Sequence, residues 1–294
     1  MLRLFLAQSW LQHLRMWLCW VCCSASWAVF PIHFASVPLV LGGQPSTKEA
    51  MEMVDAERPP AKQNWYECYV LPCLAELLGS AAFVFIGCLS VVEDSIGTGL
   101  LQPALVHGLS IVPIVVSLGN ISGAHINPVV SLGIWLVGGM KLIMLIPYCI
   151  AQLCGGILGA ALTKAVASSL NFDSRVGGAF GIIRTNAQIG PALGNEIILT
   201  TFLLLVVCMT AVNGETKSPL APVCIALTVV INIIVGGSIS GPCMNPARAF
   251  GPAVIANYWL YHWVYWVGPL IGCLISSLLI RFVIGDRKIR LFLK

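Results

Sequence analysis

The chain has 294 residues, of which 58% are hydrophobic and 10% charged, and its formal net charge is +4. Soluble domains carry roughly 25% charged residues, so this composition argues against a water-soluble fold. The small positive charge gives no electrostatic footprint for a nucleic-acid partner.

In chain order, residues 1–67 stand apart as an N-terminal extension and linker. Met16 to Phe30 is apolar and rich in tryptophan and cysteine, and Pro31 and His33 interrupt it. A signal-anchor, a divergent targeting segment and an aberrant gene start all remain open for it. Residues 42–64 hold Gly42-Gly43, Pro45 and Pro59-Pro60 and read as a cytosolic linker. From residue 68 to 294 the pattern is regular. Apolar stretches near 68–92, 101–119, 140–166, 189–212, 219–237 and 259–284 predict six membrane-spanning helices. The tail 285–294 is basic, with Arg287, Lys288, Arg290 and Lys294, which predicts a cytoplasmic C-terminus.

Two segments, Asn127 to Trp135 and Pro246 to Ile255, are apolar but too short to span. Each follows a Gly/Ser-rich loop and begins with Asn-Pro, and proline suits the first turn of a helix. A short helix at membrane depth is tolerated only against protein or a watery cavity. The halves repeat, about 68–166 against about 189–284. Ser122-Gly123-Ala124-His125-Ile126-Asn127-Pro128 aligns with Ser240-Gly241-Pro242-Cys243-Met244-Asn245-Pro246, and Glu76 corresponds to Glu196. Three spans per half invert the second copy. The predicted fold is therefore all-α, with six transmembrane helices plus two re-entrant half-helices that meet near the midplane.

The twin motifs Asn127-Pro128-Val129 and Asn245-Pro246-Ala247-Arg248 resemble the signature of the aquaporin (major intrinsic protein) family. The wording from Leu71 to Ser80 and from Cys243 to Pro252 carries the resemblance, which covers about residues 66–294. It implies a passive channel, a homotetramer with one pore per subunit, and a constriction at His107, Ile233 (register open by one residue), Pro242 and Arg248. It also implies that Glu76 and Glu196 each hold a re-entrant loop, although buried carboxylates in spans also suit a proton relay. Histidine in the second span and an aliphatic residue in the fifth reverse the usual water-selective arrangement. Ammonia and hydrogen peroxide join water as expected cargo. Val129 replaces the usual alanine and is expected to add bulk near the midplane, and Pro242 removes a backbone donor. Ala249 stands where glycerol-conducting relatives place aspartate, against glycerol as cargo.

Most of the twelve cysteines sit in apolar stretches as small hydrophobes. Cys243, two residues before Asn245, is the candidate mercurial-sensitive thiol, with Cys88 next. The physics agrees with a channel: a helix N-terminus carries roughly half a positive charge, and two converging ends oppose cations. Asn127 and Asn245 are then placed to donate to a passing water, beside their capping role. No nucleotide loop, metal cluster or catalytic triad is visible, so neither a cofactor nor an enzyme activity is expected. The partners are small neutral solutes and the lipid bilayer, in the plasma membrane or an intracellular one such as the mitochondrial membrane. An ion-coupled carrier with broken helices and a closed-pore adhesion or scaffold protein are the rival readings.

Overall fold

The computed structural model describes residues 64–94 and 97–292. The segment 1–63, which holds nearly all of the predicted extension, lies outside the described residues. The helices are α1 (Leu71–Val92), α2 (Leu101–Ser122), α3 (Pro128–Leu136), α4 (Leu142–Val166), α5 (Ser169–Ser174), α6 (Ile189–Val207), α7 (Ala221–Gly236), α8 (Pro246–Ala256) and α9 (Val264–Leu279). Wider π-helical turns lead into α1 at Tyr66–Val70 and extend α6 and α9 through Cys208–Val212 and Ile280–Ile284.

Five of these units are long and apolar enough to cross a membrane, at 27, 22, 25, 27 and 21 residues. The sixth, α7, has 16 residues and falls short of the predicted 219–237. Its limits have local causes. Pro222 sits in the first turn, and Gly236-Gly237 closes the end, where Asn195 Nδ2 donates to Gly236 O at 3.2 Å. At 1.5 Å per residue α7 spans about 24 Å, less than the roughly 30 Å hydrocarbon core of a bilayer. The outer faces are apolar: Val116, Ile146 and Ile198 are 66–67% exposed, which suits lipid and would be a liability in water.

Packing follows the repeat. In the first half α4 lies on α1, with Gly155 and Gly159 against the Leu77 and Ala81 carbonyls, where any Cβ would collide. In the second half α9 lies on α6 in the same way, with Gly272 against the Ile197 carbonyl. Small residues permit this close approach. The half-helices cross over. Gly251 of α8 meets the backbone of Gly156 in α4, while Gly133 of α3 meets Leu204 of α6 and Cys273 of α9. Each half-helix is thus seated on spans of the other repeat.

The connections collect on two faces. On one, the end of α1 and the following Glu93-Asp94 meet the 167–188 connection, with Arg175 Nη1 donating to Val91 O and Ser168 N to the Glu93 carboxylate. On the other, the loop after Val212 meets the C-terminal segment, with Gly214 N donating to Asp286 Oδ2 at 2.7 Å.

Candidate functional site

Each re-entrant loop is a strained turn held by one carboxylate. In the first, Gly123, Ala124 and Ile126 are left-handed, at φ 89°, 47° and 47°. In the second, Gly241 and Met244 are left-handed, at φ 70° and 54°. A non-glycine residue in this region costs about 1–3 kcal/mol and persists only where its surroundings fix it. Glu76 supplies that fixing in the first loop. Its Oε1 accepts from Ser122 Oγ at 2.6 Å and His125 N at 2.9 Å, and its Oε2 from Ile126 N at 2.7 Å and Gln152 Nε2 at 2.8 Å. Glu196 does the same in the second, accepting from Ser240 Oγ at 2.6 Å, Cys243 N at 2.9 Å and Met244 N at 2.9 Å. Tyr148 and Tyr265 hydroxyls donate to the carbonyls of Ser122 and Ser240 at 2.9 and 2.8 Å. Their hydrogen bonding differs where Ala124 aligns with Pro242. Ala124 N donates to Ser122 Oγ at 3.0 Å, a bond that Pro242 cannot make because it has no N–H.

The asparagines stand at the inner ends. Asn127 Oδ1 accepts from Val129 N at 2.9 Å, and Asn245 Oδ1 accepts from Ala247 N at 3.0 Å and Arg248 N at 3.3 Å, so both are N-caps. Their amide nitrogens cross over: Asn127 Nδ2 donates to Met244 O at 2.8 Å, and Asn245 Nδ2 donates to Ile126 O at 3.0 Å. One amide hydrogen of each ties the opposite loop, and a second remains. Pro128 and Pro246 open the half-helices from this junction, so both positive ends point at it.

A cavity of about 290 Å³ runs past the junction, from Leu100 and Arg175 at one face to Ala211 and Ala221 at the other. Asn127, Asn245, His107, Ile233, Pro242, Cys243 and Arg248 all line it. Within α7 it is Ile233 that lines the cavity, while Asn232 Nδ2 donates to Leu199 O at 3.0 Å and Ile234 is 46% exposed. Arg248 is 3% exposed. Its Nε donates to His107 Nε2 at 3.0 Å, its Nη1 donates to Gly178 O at 2.9 Å, and the Phe180 ring lies 4.7 Å from its guanidinium carbon. His107 Nδ1 is 2.7 Å from Pro103 O, so this network assigns the proton to Nδ1 and leaves Nε2 as acceptor. Gly87 of α1 leaves the space for the ring, which meets Phe83 edge-on at 5.7 Å.

His107 has both ring nitrogens engaged, Nδ1 with Pro103 O and Nε2 with Arg248 Nε, so it holds Arg248. Val129 is 1% exposed and joins the hydrophobic core rather than the cavity wall, so its extra bulk goes into packing. Cys88 is fully buried away from the cavity wall, whereas Cys243 lines it with Sγ 2.9 Å from Asn245 O. Sequence reasoning missed Gly178, Phe180 and Gln152. The Gly177-Gly178 pair was the one local signal for the first two, and nothing short-range marks Gln152 as a ligand of a carboxylate 76 residues away.

Comparison with known proteins agrees with this geometry. The major intrinsic protein family model matches residues 67–280. Aquaporin-8 of Mus musculus is 59% identical over 230 residues, which cover 78% of this chain and 88% of that protein. Aquaporin-8 of Rattus norvegicus is 58% identical over 231 residues, covering 79% and 88%. The X-ray structure of the aquaglyceroporin from Plasmodium falciparum superposes with a TM-score of 0.64 at 23% identity, over 74% of this chain and 97% of that one, a likeness of fold. A family match over most of the chain, on top of two cross-tied Asn-Pro half-helices, places this protein in the major intrinsic protein, or aquaporin, family of passive membrane channels for water and small neutral solutes.

Proposed function

We propose that this channel conducts water, ammonia and hydrogen peroxide and excludes ions and protons. The observation that carries the reading is the crossed pair Asn127–Met244 O and Asn245–Ile126 O, which holds two half-helix N-termini together on the cavity wall. A passing water donates nothing to these ends. It accepts from the second amide hydrogen of each asparagine, so its lone pairs are occupied and a proton cannot hop along the file. The two helix dipoles repel hydronium at the same point.

His107, Ile233, Pro242 and Arg248 form the filter towards the face that holds Glu93 and Asp94. Arg248 carries a fixed positive charge there, and its remaining N–H groups serve the solute. With an imidazole in α2 and an aliphatic residue in α7, the filter takes small polar solutes other than water. Ala249 beside Arg248 argues against glycerol. Glu76 and Glu196 are loop supports, since Ser122, His125 and Ile126 donate to one carboxylate, beside Gln152, and Ser240, Cys243 and Met244 to the other. The chain assembles as a homotetramer with one pore per subunit. The basic C-terminal cluster and the loop with Lys217 face the cytoplasm, and Glu93-Asp94 face the other side, in the plasma membrane or an intracellular membrane.

Purified full-length protein in liposomes tests the reading by stopped-flow light scattering, a pH-sensitive dye and a peroxide-sensitive dye. All three solutes should cross faster than through protein-free liposomes, with no ionic current. Gradient-dependent uptake would replace the channel with a coupled carrier, and flux equal to empty liposomes would mean a closed pore. Labelling of cysteines introduced at residues 94 and 290 from the same side would overturn the topology.

A further inference from the structure

The connection between α4 and α6 reaches Arg248 through one carbonyl, that of Gly178. The three residues ending at that carbonyl, Val176, Gly177 and Gly178, are all left-handed, at φ 51°, 60° and 79°. Two glycines tolerate this, but a β-branched valine there is an outlier for its type. Such a run needs an external hold. Packing gives part of it: Gly177 sits on the Phe172 ring, and a Cβ on Gly178 would lie 3.1 Å from Cys88 Cα in α1.

Arg175, immediately before the run, gives the rest. Its Nη1 donates to Val91 O at 3.0 Å and its Nη2 to Asp94 O at 3.3 Å. These carbonyls lie at the C-terminal end of α1, where unpaired acceptors and the negative helix end favour a guanidinium. A second tie lies upstream, where Glu93 accepts from Ser168 N at 3.1 Å and Asn171 Nδ2 at 2.7 Å. The segment 168–178 is therefore strapped to α1. The same helix supplies Gly87 and Phe83, the seat of His107. Both hydrogen-bond acceptors of the Arg248 guanidinium, His107 Nε2 and Gly178 O, are thus referenced to one helix.

We infer that Arg175 is a positioning residue for the filter: by clamping the strap to α1 it fixes the Gly178 carbonyl, and through it the place of the Arg248 guanidinium at the cavity wall. This rests on the reading of Arg248 as a filter residue. Arg175 also lines the cavity at its outer end, so its own charge acts at the mouth, and the test must separate the two.

The test uses the full-length channel in liposomes at matched density and reads the ratio of urea to water flux. Arg248→Ala first establishes that the ratio responds to the filter. Arg175→Gln should raise the ratio about fivefold, the factor one net hydrogen bond is worth. Arg175→Lys keeps the charge but lacks the fork that spans two carbonyls, so it should resemble the glutamine variant. In an Arg248→Ala background, Arg175→Gln should change the ratio by less than about twofold, since the two act as one unit. If Arg175→Gln fails to assemble, Asn171→Ala frees the other end of the strap and should shift the ratio the same way, again only with Arg248 present. A lysine variant equal to wild type would assign the effect to charge at the mouth and overturn the inference. So would equal effects of Arg175→Gln with and without Arg248. An unchanged ratio in Arg248→Ala alone would overturn the filter reading itself.

Discussion

Glu196→Gln keeps the size of the side chain and removes one acceptor. The carboxylate takes three donors, Ser240 Oγ and Cys243 N on one oxygen and Met244 N on the other. A glutamine has one oxygen. If that oxygen stays with Ser240 and Cys243, its NH₂ meets the Met244 N–H donor to donor. A charge-assisted bond is worth about 1.5–3 kcal/mol, and leaving a buried N–H without an acceptor costs about 1–3 kcal/mol. The two terms overlap, so the net loss is about 2–4 kcal/mol. Ser240 can rotate its hydroxyl to adapt, but the backbone amides cannot. The loss falls on Met244, whose left-handed backbone depends on that bond. We expect Glu196→Gln to lower the thermal midpoint in detergent, read with a thiol-reactive dye, and to lower unit water permeability by stopped flow. Glu76→Gln should lose more, because four donors converge on that carboxylate. A proton relay would behave differently: the glutamine variants would melt normally and lose only gradient-driven uptake. Wild-type stability together with wild-type permeability in Glu196→Gln would refute the loop-holding assignment.

His107→Phe deprives Arg248 Nε of its acceptor and adds ring bulk where Gly87 already touches the imidazole, so ammonia and peroxide flux should fall more than water flux in dye-loaded liposomes. Equal scaling of all three would remove His107 from the filter. Mercurials should slow water flux through the Cys243 thiol on the cavity wall, and Cys243→Ser should blunt that inhibition while Cys88→Ser leaves it intact. At the C-terminal segment, the backbone N–H of Ile289, with those of Gly214 and Lys288, holds the Asp286 carboxyl below its ordinary value. A depressed carboxylate contributes stability above its unfolded pKa, about 3.9, and loses it as pH falls through the lower folded value. Hydrogen exchange at 213–217 and 286–292 should therefore quicken only in acid below about pH 4, whereas Asp286→Asn should quicken it at neutral pH.

The helices were legible because lipid imposes length and apolarity on each span, and the two half-helices because Asn-Pro marks a start that is too close to the next turn. Register inside α7 was not legible: Asn232, Ile233 and Ile234 are separable only by what faces them, Leu199 O, the cavity and the outside. The residues His107, Ile233, Pro242 and Arg248 on the cavity wall were legible one by one but not as a network. Nothing in the order of residues says that His107 spends both nitrogens on Pro103 and Arg248. The strap was the least legible part, because a connection such as 167–188 has no periodicity, and its backbone is set by partners in α1.

The crossed asparagine bonds also bear on how such a chain is made and where it came from. Asn127 reaches Met244 while Asn245 reaches Ile126, so residue i of one half touches j of the other and j returns the contact to i. That reciprocity is the mark of a two-fold, self-complementary interface, here contained within one polypeptide. During synthesis the first re-entrant loop cannot complete its bonds until residue 245 has left the ribosome, so the first three spans must wait in the membrane with an unfinished turn. A single half would have no partner for its asparagine unless a second copy supplied one in opposite orientation. The contact is one that an ancestral pair of half-length chains, inserted head to tail, could already have made before fusion joined them.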